Sequence, residues 1–394
     1  MAGRATTAAE VETLEQLCAS KEIVVSTGSG GVGKTTTAAA LGATAASRLG
    51  IKVLVLTVDP ARRLANALGM ERFGNVETRV PDEAFADAGV EVQGELWAAM
   101  LDTKQSWDDL IRLHAPDAAT RDAILANPLY QNITGKFVQS HDYVAMERLY
   151  EIHQSGRYDL IVVDTPPTRN ALDFLDAPER MADFFSSRLL RWLIAPYKSR
   201  VVSFASKPFY SVADRILGTQ FLEDIAEFFI LFQPMYGFVE RARAVTALLG
   251  SPQCSFLVVS TLEVSPSREA EFFLEVLAQR KYHVGALVLN KVLPEFLLSR
   301  AGADAARRLT KDGPAIAADL APSLPGGRPI EKHLSHMLTE IGGSFLNYQV
   351  VARREAEQRA ELASSPDLTR TVPYFEEDIH SLEGLLRLGE KIWR

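Results

Sequence analysis

Five short apolar runs divide the chain, and helix-length segments separate them. The runs cover residues 23–27, 53–58, 160–164, 256–261 and 284–290. A continuous apolar, β-branched run of this length is typical of a strand that is buried on both faces, as parallel strands are. Strands that alternate with helices predict βαβ units, so we expect an α/β fold with a mostly parallel β-sheet flanked by helices. Residues 96–101 are a sixth candidate strand.

Two stretches depart from this alternation. Residues 171–250 show amphipathic helical patterning with many Phe and Leu residues, which predicts a helical insertion. Residues 301–329 are rich in Ala, Gly and Pro and predict a flexible connector, whereas residues 331–363 predict a long helix. Because no clean linker divides the sequence, we interpret residues 1–394 as a single domain with insertions.

Composition narrows the class of protein. The 394 residues are 47% hydrophobic, and 42 Lys and Arg residues stand against 50 Asp and Glu residues. The net charge of −8 argues against a bulk electrostatic grip on nucleic acid or anionic lipid. The two cysteines, Cys18 and Cys254, exclude a disulfide scaffold. Neither a signal-peptide segment nor an apolar run of roughly 20 residues is evident, so we expect a cytoplasmic protein.

The strongest motif directly follows the first predicted strand. Residues 28–35 read Gly-Ser-Gly-Gly-Val-Gly-Lys-Thr and fit the P-loop pattern G-x-x-x-x-G-K-[ST]. Glycines let backbone N–H groups turn toward a phosphate chain, and the following helix adds partial positive charge. We expect Lys34 to reach the β- and γ-phosphates and the Thr35 hydroxyl to bind Mg²⁺. The predicted ATP-binding residues of this segment are Gly28, Ser29, Gly30, Gly31, Val32, Gly33, Lys34, Thr35 and Thr36.

Two predicted strands are followed or closed by aspartate. Asp164 ends an apolar run, which is typical of a Walker B strand, and is predicted to complete the Mg²⁺ shell through water. Asp59 follows the second strand and has two candidate metal-site roles, an outer contact of the ion or the residue that orients the attacking water. For both residues the structural alternative is a turn or helix N-cap after a strand.

The nucleotide base is harder to assign. The strand over residues 284–290 runs into Asn290-Lys291-Val292-Leu293, with Leu where the [NT]-K-x-D motif of guanine-specific P-loop proteins has Asp. Adenine is therefore favoured over guanine. Asn290 is a candidate hydrogen-bond partner of the adenine amine, and its structural alternative is a turn residue at a strand end.

Together these segments resemble the ArsA/Get family of ATPases with a deviant Walker A motif, and most of all its actinobacterial anion-transporting members. The family includes the arsenical pump-driving ATPase and the tail-anchored-protein targeting ATPase. The first three matches are residues 28–37, the switch I-like Asp59-Pro60-Ala61 and the switch II-like residues 164–175. The fourth is Val372-Pro373-Tyr374-Phe375, which is similar to the family segment that lies over adenine.

The resemblance implies a P-loop NTPase that binds ATP and Mg²⁺ and hydrolyses ATP across a dimer interface. It implies that Asp59 positions the attacking water beside Lys34, and that Asn290, Pro373 and Tyr374 hold adenine. We expect hydrolysis to drive a conformational cycle that serves a transport or targeting partner. The alternatives are a nucleotide-binding regulatory subunit and a ParA/MinD-like positioning ATPase, which the acidic charge disfavours.

Three departures from the family pattern matter. Ser29 replaces the family's signature Lys, which reaches the partner subunit's phosphates. This substitution leaves open a slow homodimeric ATPase, one that uses Arg62 or Arg63 instead, or a heterodimer with a paralogue. Residues 293–308 contain no Cys, which excludes the family's zinc-bridged dimer, and two separated cysteines cannot build its metalloid site.

The helical insertion is the candidate surface for a membrane-protein or hydrophobic client. It contains the apolar residues Phe184, Phe185, Leu189, Leu190, Trp192, Leu193, Phe221, Phe228, Phe229, Phe232 and Met235. A client groove would expose such residues at helical spacing. Ordinary packing of helices on the sheet produces the same pattern and is the favoured interpretation.

Overall fold

The apolar runs of the sequence pair side by side in one sheet. A computed structural model describes residues 13–58, 62–70, 74–127, 130–131, 138–166, 168–187, 238–325, 330–362, 366 and 368–393. Its strands are β1 (Ile23–Gly28), β2 (Lys52–Thr57), β3 (Thr78–Arg79), β4 (Glu95–Met100), β5 (Leu160–Asp164), β6 (Cys254–Thr261), β7 (Val284–Val292) and β8 (Thr369–Pro373). Within the described residues they form an eight-stranded sheet of order β3-β4-β2-β5-β1-β6-β7-β8. Only β3 of this sheet runs antiparallel to its neighbour, so the predicted mostly parallel sheet is confirmed.

Helices connect the strands and cover both faces of the sheet. The helices before β5 are α1 (Leu14–Ser20), α2 (Lys34–Leu49), α3 (Arg62–Ala67), α4 (Asp82–Asp87), α5 (Thr103–His114), α6 (Ala118–Ala126) and α7 (Val138–Gln154). Those after β5 are α8 (Thr168–Ser186), α9 (Phe238–Leu249), α10 (Val264–Gln279), α11 (Arg300–Leu320), α12 (Glu331–Leu362) and α13 (Leu382–Trp393). Among the described residues, no helix is both long and apolar enough to cross a bilayer.

The central strand β1 shows why the predicted strands were continuous apolar runs. All six of its residues are buried. Because successive side chains of a strand point to opposite faces, Val24 packs in one hydrophobic core and Val25 in the other. The core around Val24 includes α2 and α13, and the core around Val25 includes α7, α9 and α10. The phosphate loop therefore leaves a strand that is held from both sides.

The region after β7 corrects one prediction. Residues 301–329 were expected to be a flexible connector, but most of them form α11, which Ser299 caps by accepting a hydrogen bond from the N–H of Gly302 at 3.1 Å. Alanine is the strongest helix former, and the small residues serve close packing against α12. A Cβ at Gly342 of α12 would lie 2.5 Å from the Ala306 carbonyl oxygen. Residues 326–329 lie outside the described residues.

The predicted helical insertion is described only at its two ends. The helices α8 and α9 confirm the helical patterning at the start and the end of residues 171–250. Residues 188–237 lie outside the described part of the chain, together with Leu189, Leu190, Trp192, Leu193, Phe221, Phe228, Phe229, Phe232 and Met235. The side chains of Phe184 and Phe185 are not described either, so the client groove stays a prediction.

Candidate functional site

The phosphate loop connects β1 to α2 at the carboxyl edge of the sheet. Glycine is required at both of its ends. A Cβ at Gly28 would lie 2.1 Å from the carbonyl oxygen of Val259 on β6. Gly33 has a left-handed φ of +96°, and a Cβ there would lie 2.4 Å from Nδ2 of Asn290. The loop therefore needs glycine at residues 28 and 33, because its backbone there passes too close to β6 and to Asn290 for any side chain.

The helix α2 begins at Lys34, directly behind the loop. Its N-cap residue is Gly33, which provides no side-chain hydrogen bond to the first turn. The N–H groups of that turn, which includes Thr35 and the half-buried Thr36, therefore face the loop without a side-chain cap. Such an end is suited to an anion because the free N–H groups and the helix dipole both favour negative charge.

The side chain of Lys34 lies inside the loop. It is 7% exposed, and its Nζ donates to the Ser29 carbonyl oxygen at 3.2 Å. A buried ammonium is costly unless it is paired, and a phosphate oxygen is a stronger partner than a carbonyl. The structure therefore places the Lys34 ammonium inside the loop, and its role as a phosphate-binding cation stays a prediction.

The predicted magnesium residues Thr35 and Asp164 meet at the start of α2. The Oγ1 atom of Thr35 donates to Oδ2 of Asp164 at 2.7 Å, and Asp164 is fully buried. A hydroxyl and a carboxylate are the hard oxygen donors that Mg²⁺ prefers, so this pair fits the ion. The cluster thus contains two of the three residues predicted for the metal.

The sequence analysis missed a third member of this cluster. Thr57 ends β2, which pairs with β5 so that Thr57 lies directly beside Asp164. Its Oγ1 donates to Oδ2 of Asp164 at 3.0 Å, and Thr57 is fully buried. Two hydroxyls therefore fix the same carboxylate oxygen. Thr57 looked like an ordinary strand residue because the signal is the register between two strands that lie far apart in sequence.

Asp59, the predicted catalytic residue, lies outside the described residues, as do Pro60 and Ala61. The side chains of Arg62 and Arg63 are likewise not described. The chain approaches this segment from Thr57 through Val58, whose N–H donates to the Asp164 carbonyl oxygen at 3.0 Å. The roles given to Asp59 and to the two arginines stay predictions.

Asn290 touches the phosphate loop from the end of β7. Its Nδ2 donates to the Val32 carbonyl oxygen at 2.8 Å, and its Oδ1 accepts from the backbone N–H of Lys291 at 2.9 Å. Lys291 has a left-handed φ of +58°, and its Nζ lies 3.4 Å from the Gly31 carbonyl oxygen. These two residues tether the loop to the sheet. An amide keeps one N–H and one lone pair after these two bonds, and the contact of Asn290 with adenine stays a prediction.

Pro373 and Tyr374 reach the same edge from β8. Pro373 pairs with Val292 of β7, and the Tyr374 N–H donates to the Val292 carbonyl oxygen at 3.1 Å. Tyr374 is 64% exposed. The fold thus brings both residues within two positions of Asn290 along neighbouring strands, although the apolar pattern did not predict β8 as a strand.

Ser29, which stands where the family has its signature Lys, faces a carboxylate of its own chain. Its Oγ donates to Oε2 of Glu269 on α10 at 2.7 Å, and Ser29 is 6% exposed. Glu269 was not predicted, because 240 residues separate the two in sequence. The bond ties the outer part of the loop to α10 and places a negative charge beside the phosphate site.

Comparison with known proteins agrees with this geometry. A family model described as the anion-transporting ATPase matches residues 21–308. The chain is 28% identical over 273 residues to "Putative arsenical pump-driving ATPase 2" of Aquifex aeolicus, which covers 68% of this chain and 79% of the relative. It is 30% identical over 271 residues to an uncharacterized protein of Streptomyces coelicolor, which covers 68% of this chain and 62% of the relative. It is 26% identical over 276 residues to "ATPase ASNA1 homolog" of Entamoeba dispar, which covers 68% of this chain and 75% of the relative.

The family match begins just before β1 and includes the phosphate loop, Asp164 and Asn290. It covers more than half of the chain, and the parallel sheet with flanking helices is the fold that a P-loop NTPase requires. The chain therefore belongs to the anion-transporting ATPase (ArsA) family.

Proposed function

We propose that this protein is a Mg²⁺-dependent ATPase of the ArsA/Get type, in which ATP hydrolysis drives a conformational cycle of a dimer. The observation that carries the proposal is the cluster of Thr35, Thr57 and Asp164 at the start of α2, beside the buried Lys34. A bare phosphate-binding loop would need no carboxylate fixed by two hydroxyls. A metal-assisted phosphoryl transfer does need one.

The phosphate loop and the start of α2 bind the triphosphate of ATP. The N–H groups of the loop and of the first turn of α2 surround the phosphate oxygens. Lys34 exchanges the Ser29 carbonyl for the β- and γ-phosphates, because a charge-assisted hydrogen bond is stronger. Asn290 and Lys291 keep the loop in this shape from the side of β7.

The metal site uses the same hydroxyl and carboxylate that now bond to each other. Thr35 and Asp164 would hold Mg²⁺, the threonine through its hydroxyl oxygen and the aspartate through water, and the ion would supply positive charge to offset that of the β- and γ-phosphates. Thr57 keeps the Asp164 carboxylate oriented throughout, since its hydroxyl reaches that carboxylate from the neighbouring strand.

In the hydrolytic step, the oxygen of water bonds to the γ-phosphorus while the bond from that phosphorus to the β–γ bridging oxygen breaks. The proton of the water passes to the released phosphate, and the products are ADP and inorganic phosphate. Asp59 is the residue that we assign to orient the water. Its place two residues after Thr57 supports this role, because Thr57 already bonds to the metal cluster.

Hydrolysis is coupled to movement at the end of β5, where Asp164 lies. Asp164 is followed by Thr165, whose Oγ1 donates to the Ser26 carbonyl oxygen at 2.8 Å, and then by α8. The helices α8 and α9 are the two described ends of the helical insertion. Loss of the γ-phosphate at the Thr35–Asp164 pair therefore acts on residues 165–174 and through α8 on the insertion, where a transport or targeting client would bind.

A second candidate function rests on the bond between Ser29 and Glu269. Because residue 29 carries no cation and a carboxylate lies beside it, the chain lacks one charge that would offset the transition state. A nucleotide-binding regulatory subunit of a heterodimer, with weak hydrolysis of its own, fits this arrangement. In that case a paralogous ATPase supplies the missing cation.

Phosphate release by the purified chain, measured against Mg²⁺ concentration, separates the two functions. A homodimeric ATPase hydrolyses ATP slowly, and Ser29→Lys raises its rate. A regulatory subunit binds ATP but hydrolyses it only with the paralogue present. Lys34→Ala should abolish ATP binding, with the exposed Lys311→Ala on α11 as the matched control. Equal ATP binding by Lys34→Ala and by the unchanged protein would refute both functions.

A further inference from the structure

The hairpin of α11 and α12 carries an apolar surface that the ATPase site does not use. Five large apolar side chains on α12 are about half exposed, and four of them share one side of the helix: Met337 at 57%, Ile341 at 54%, Tyr348 at 57% and Val351 at 46%. Their spacing of four, seven and three residues places them on one stripe of the helix. We call these four residues the α12 stripe.

The α12 stripe points away from the partner helix of the hairpin. The side of α12 that faces α11 is marked by Gly342, which lies against the Ala306 carbonyl, and by Thr339, which lies beside Gly313. Gln349 of α12 lies two turns after Gly342 on the same face of the helix and donates to the Leu297 carbonyl oxygen at 2.9 Å. None of these contacts involves the stripe, so within the described residues α12 is packed on one side and open on the other.

The spacing of the stripe is that of a coiled-coil seam. Positions 337, 341, 344, 348 and 351 alternate steps of four and three residues, and Ser344 is the polar member. Such a seam buries its apolar residues against a second helix. A seam that continues over several turns is better matched by another long helix than by a small ligand.

Charged residues beside the α12 stripe favour one partner helix and one direction of packing. Glu340 and Arg354 are both exposed, and each lies seven residues from Asn347, on opposite sides of it. If two copies of α12 pack antiparallel about Asn347, Glu340 of each copy meets Arg354 of the other. Along the seam, Ile341 then lies nearest Val351 and Ser344 nearest Tyr348, a pairing centred on residue 346, one position from Asn347. A parallel pair would instead put Glu340 beside Glu340 and Arg354 beside Arg354.

From the self-complementary charge and the seam, we infer that α12 binds α12 of a second copy of this chain, antiparallel and centred on Asn347. The contact is isologous, so on its own it closes a two-fold dimer. The overlap over residues 340–354 is about 21 Å long at 1.5 Å per residue. An interface of this size belongs to the weak, reversible class. Because α12 lies outside the phosphate loop, this contact does not require ATP.

Sedimentation velocity of the full-length chain without nucleotide tests the contact. We expect a concentration-dependent dimer, and the paired variant Ile341→Glu with Tyr348→Glu should remain monomeric with an unchanged circular dichroism spectrum. Both residues are exposed, so the substitutions leave the core intact. The matched control is Val350→Glu, which is 52% exposed on α12 but lies off the stripe.

Charge reversal tests the antiparallel register. Glu340→Arg alone or Arg354→Glu alone should weaken the dimer about tenfold, because two surface ion pairs become two like-charge contacts. The double variant should restore the association of the unchanged chain. A short bismaleimide should also cross-link two copies of Asn347→Cys, which meet in this register, and should not cross-link Glu357→Cys. Cys18 and Cys254 do not interfere because both are buried.

Three outcomes would overturn the inference. The nucleotide-free chain could remain monomeric at its highest soluble concentration, which would leave the stripe to another occupant. The double charge reversal could fail to restore association. The control at Val350 could weaken the dimer as strongly as the stripe variant. The contact stands apart from the proposed ATPase function, because Lys34→Ala should leave this dimer unchanged while abolishing ATP binding.

Discussion

Replacement of Thr57 by valine tests how the candidate metal site is built. Valine is close to threonine in shape and carries a methyl group in place of the hydroxyl, which donates to the buried Asp164 carboxylate at 3.0 Å. A hydrogen bond to a charged group contributes about 1.5–3 kcal/mol, so Thr57→Val should lower the free energy of unfolding by that amount. Because partners that orient a metal-holding group typically change metal affinity by about 10- to 100-fold, we expect a loss of Mg²⁺ affinity in that range.

Urea unfolding and Mg²⁺ titration of ATP binding measure the two effects. Thr57→Ser is the matched control, because it keeps the hydroxyl that bonds to Asp164 and loses only a methyl group. It should retain most of the Mg²⁺ affinity and lose less stability than the valine variant. If Thr57→Val and Thr57→Ser showed the same Mg²⁺ dependence, the hydroxyl would have no part in the site, and the reasoning from the strand register would be refuted.

Three further predictions concern the loop, the thiols and one partly buried carboxyl. Gly33→Ala should abolish ATP binding and destabilise the fold by about 1–3 kcal/mol, both measured by calorimetry. The reasons are the left-handed φ of Gly33 and the nearby Asn290 side chain, and unchanged ATP binding would contradict them. Burial raises the pKa of Cys254 to about 12 and that of Cys18 still further, so neither thiol should react with a thiol reagent until the protein unfolds; reaction in the folded state would contradict their burial. Burial raises the pKa of Asp142 to about 6, so the folded state favours its neutral form and its contribution to stability is lost as the pH rises through 6. Asp142→Asn should therefore raise the free energy of unfolding at pH 7 by about 1 kcal/mol, a value reduced for solvent screening, and should not raise it at pH 4. Urea unfolding at both pH values measures this difference, and an equal change at the two pH values would contradict the assignment.

The sequence predicted the parts of the fold that depend on local pattern. Strands such as β1 and β5 are buried on both faces, so each is written as an unbroken apolar run. The phosphate loop is a contiguous motif, and its glycines stand where a Cβ would collide with neighbouring atoms. These features are visible without knowledge of what packs against them.

The features that were missed depend on contacts between distant parts of the chain. Thr57 bonds to Asp164 because β2 lies beside β5, and Glu269 reaches Ser29 from α10. The helix α11 was mistaken for a connector because its small residues suggest a loop until α12 is seen packed against them. The half-buried edge strand β8 has too few apolar residues to show the buried-strand pattern.

Single-turnover hydrolysis of ATP by the purified chain shows whether this site is a magnesium-dependent ATPase centre. Addition of Mg²⁺ should start phosphate release, and Asp59→Asn should retain bound ATP while release falls sharply. The exposed Asp312→Asn on α11 is the matched control and should hydrolyse ATP like the unchanged protein. If the chain released phosphate equally well without Mg²⁺, or if Asp59→Asn released it at the rate of the unchanged protein, the assignment of this site as a magnesium-dependent ATPase centre would be contradicted.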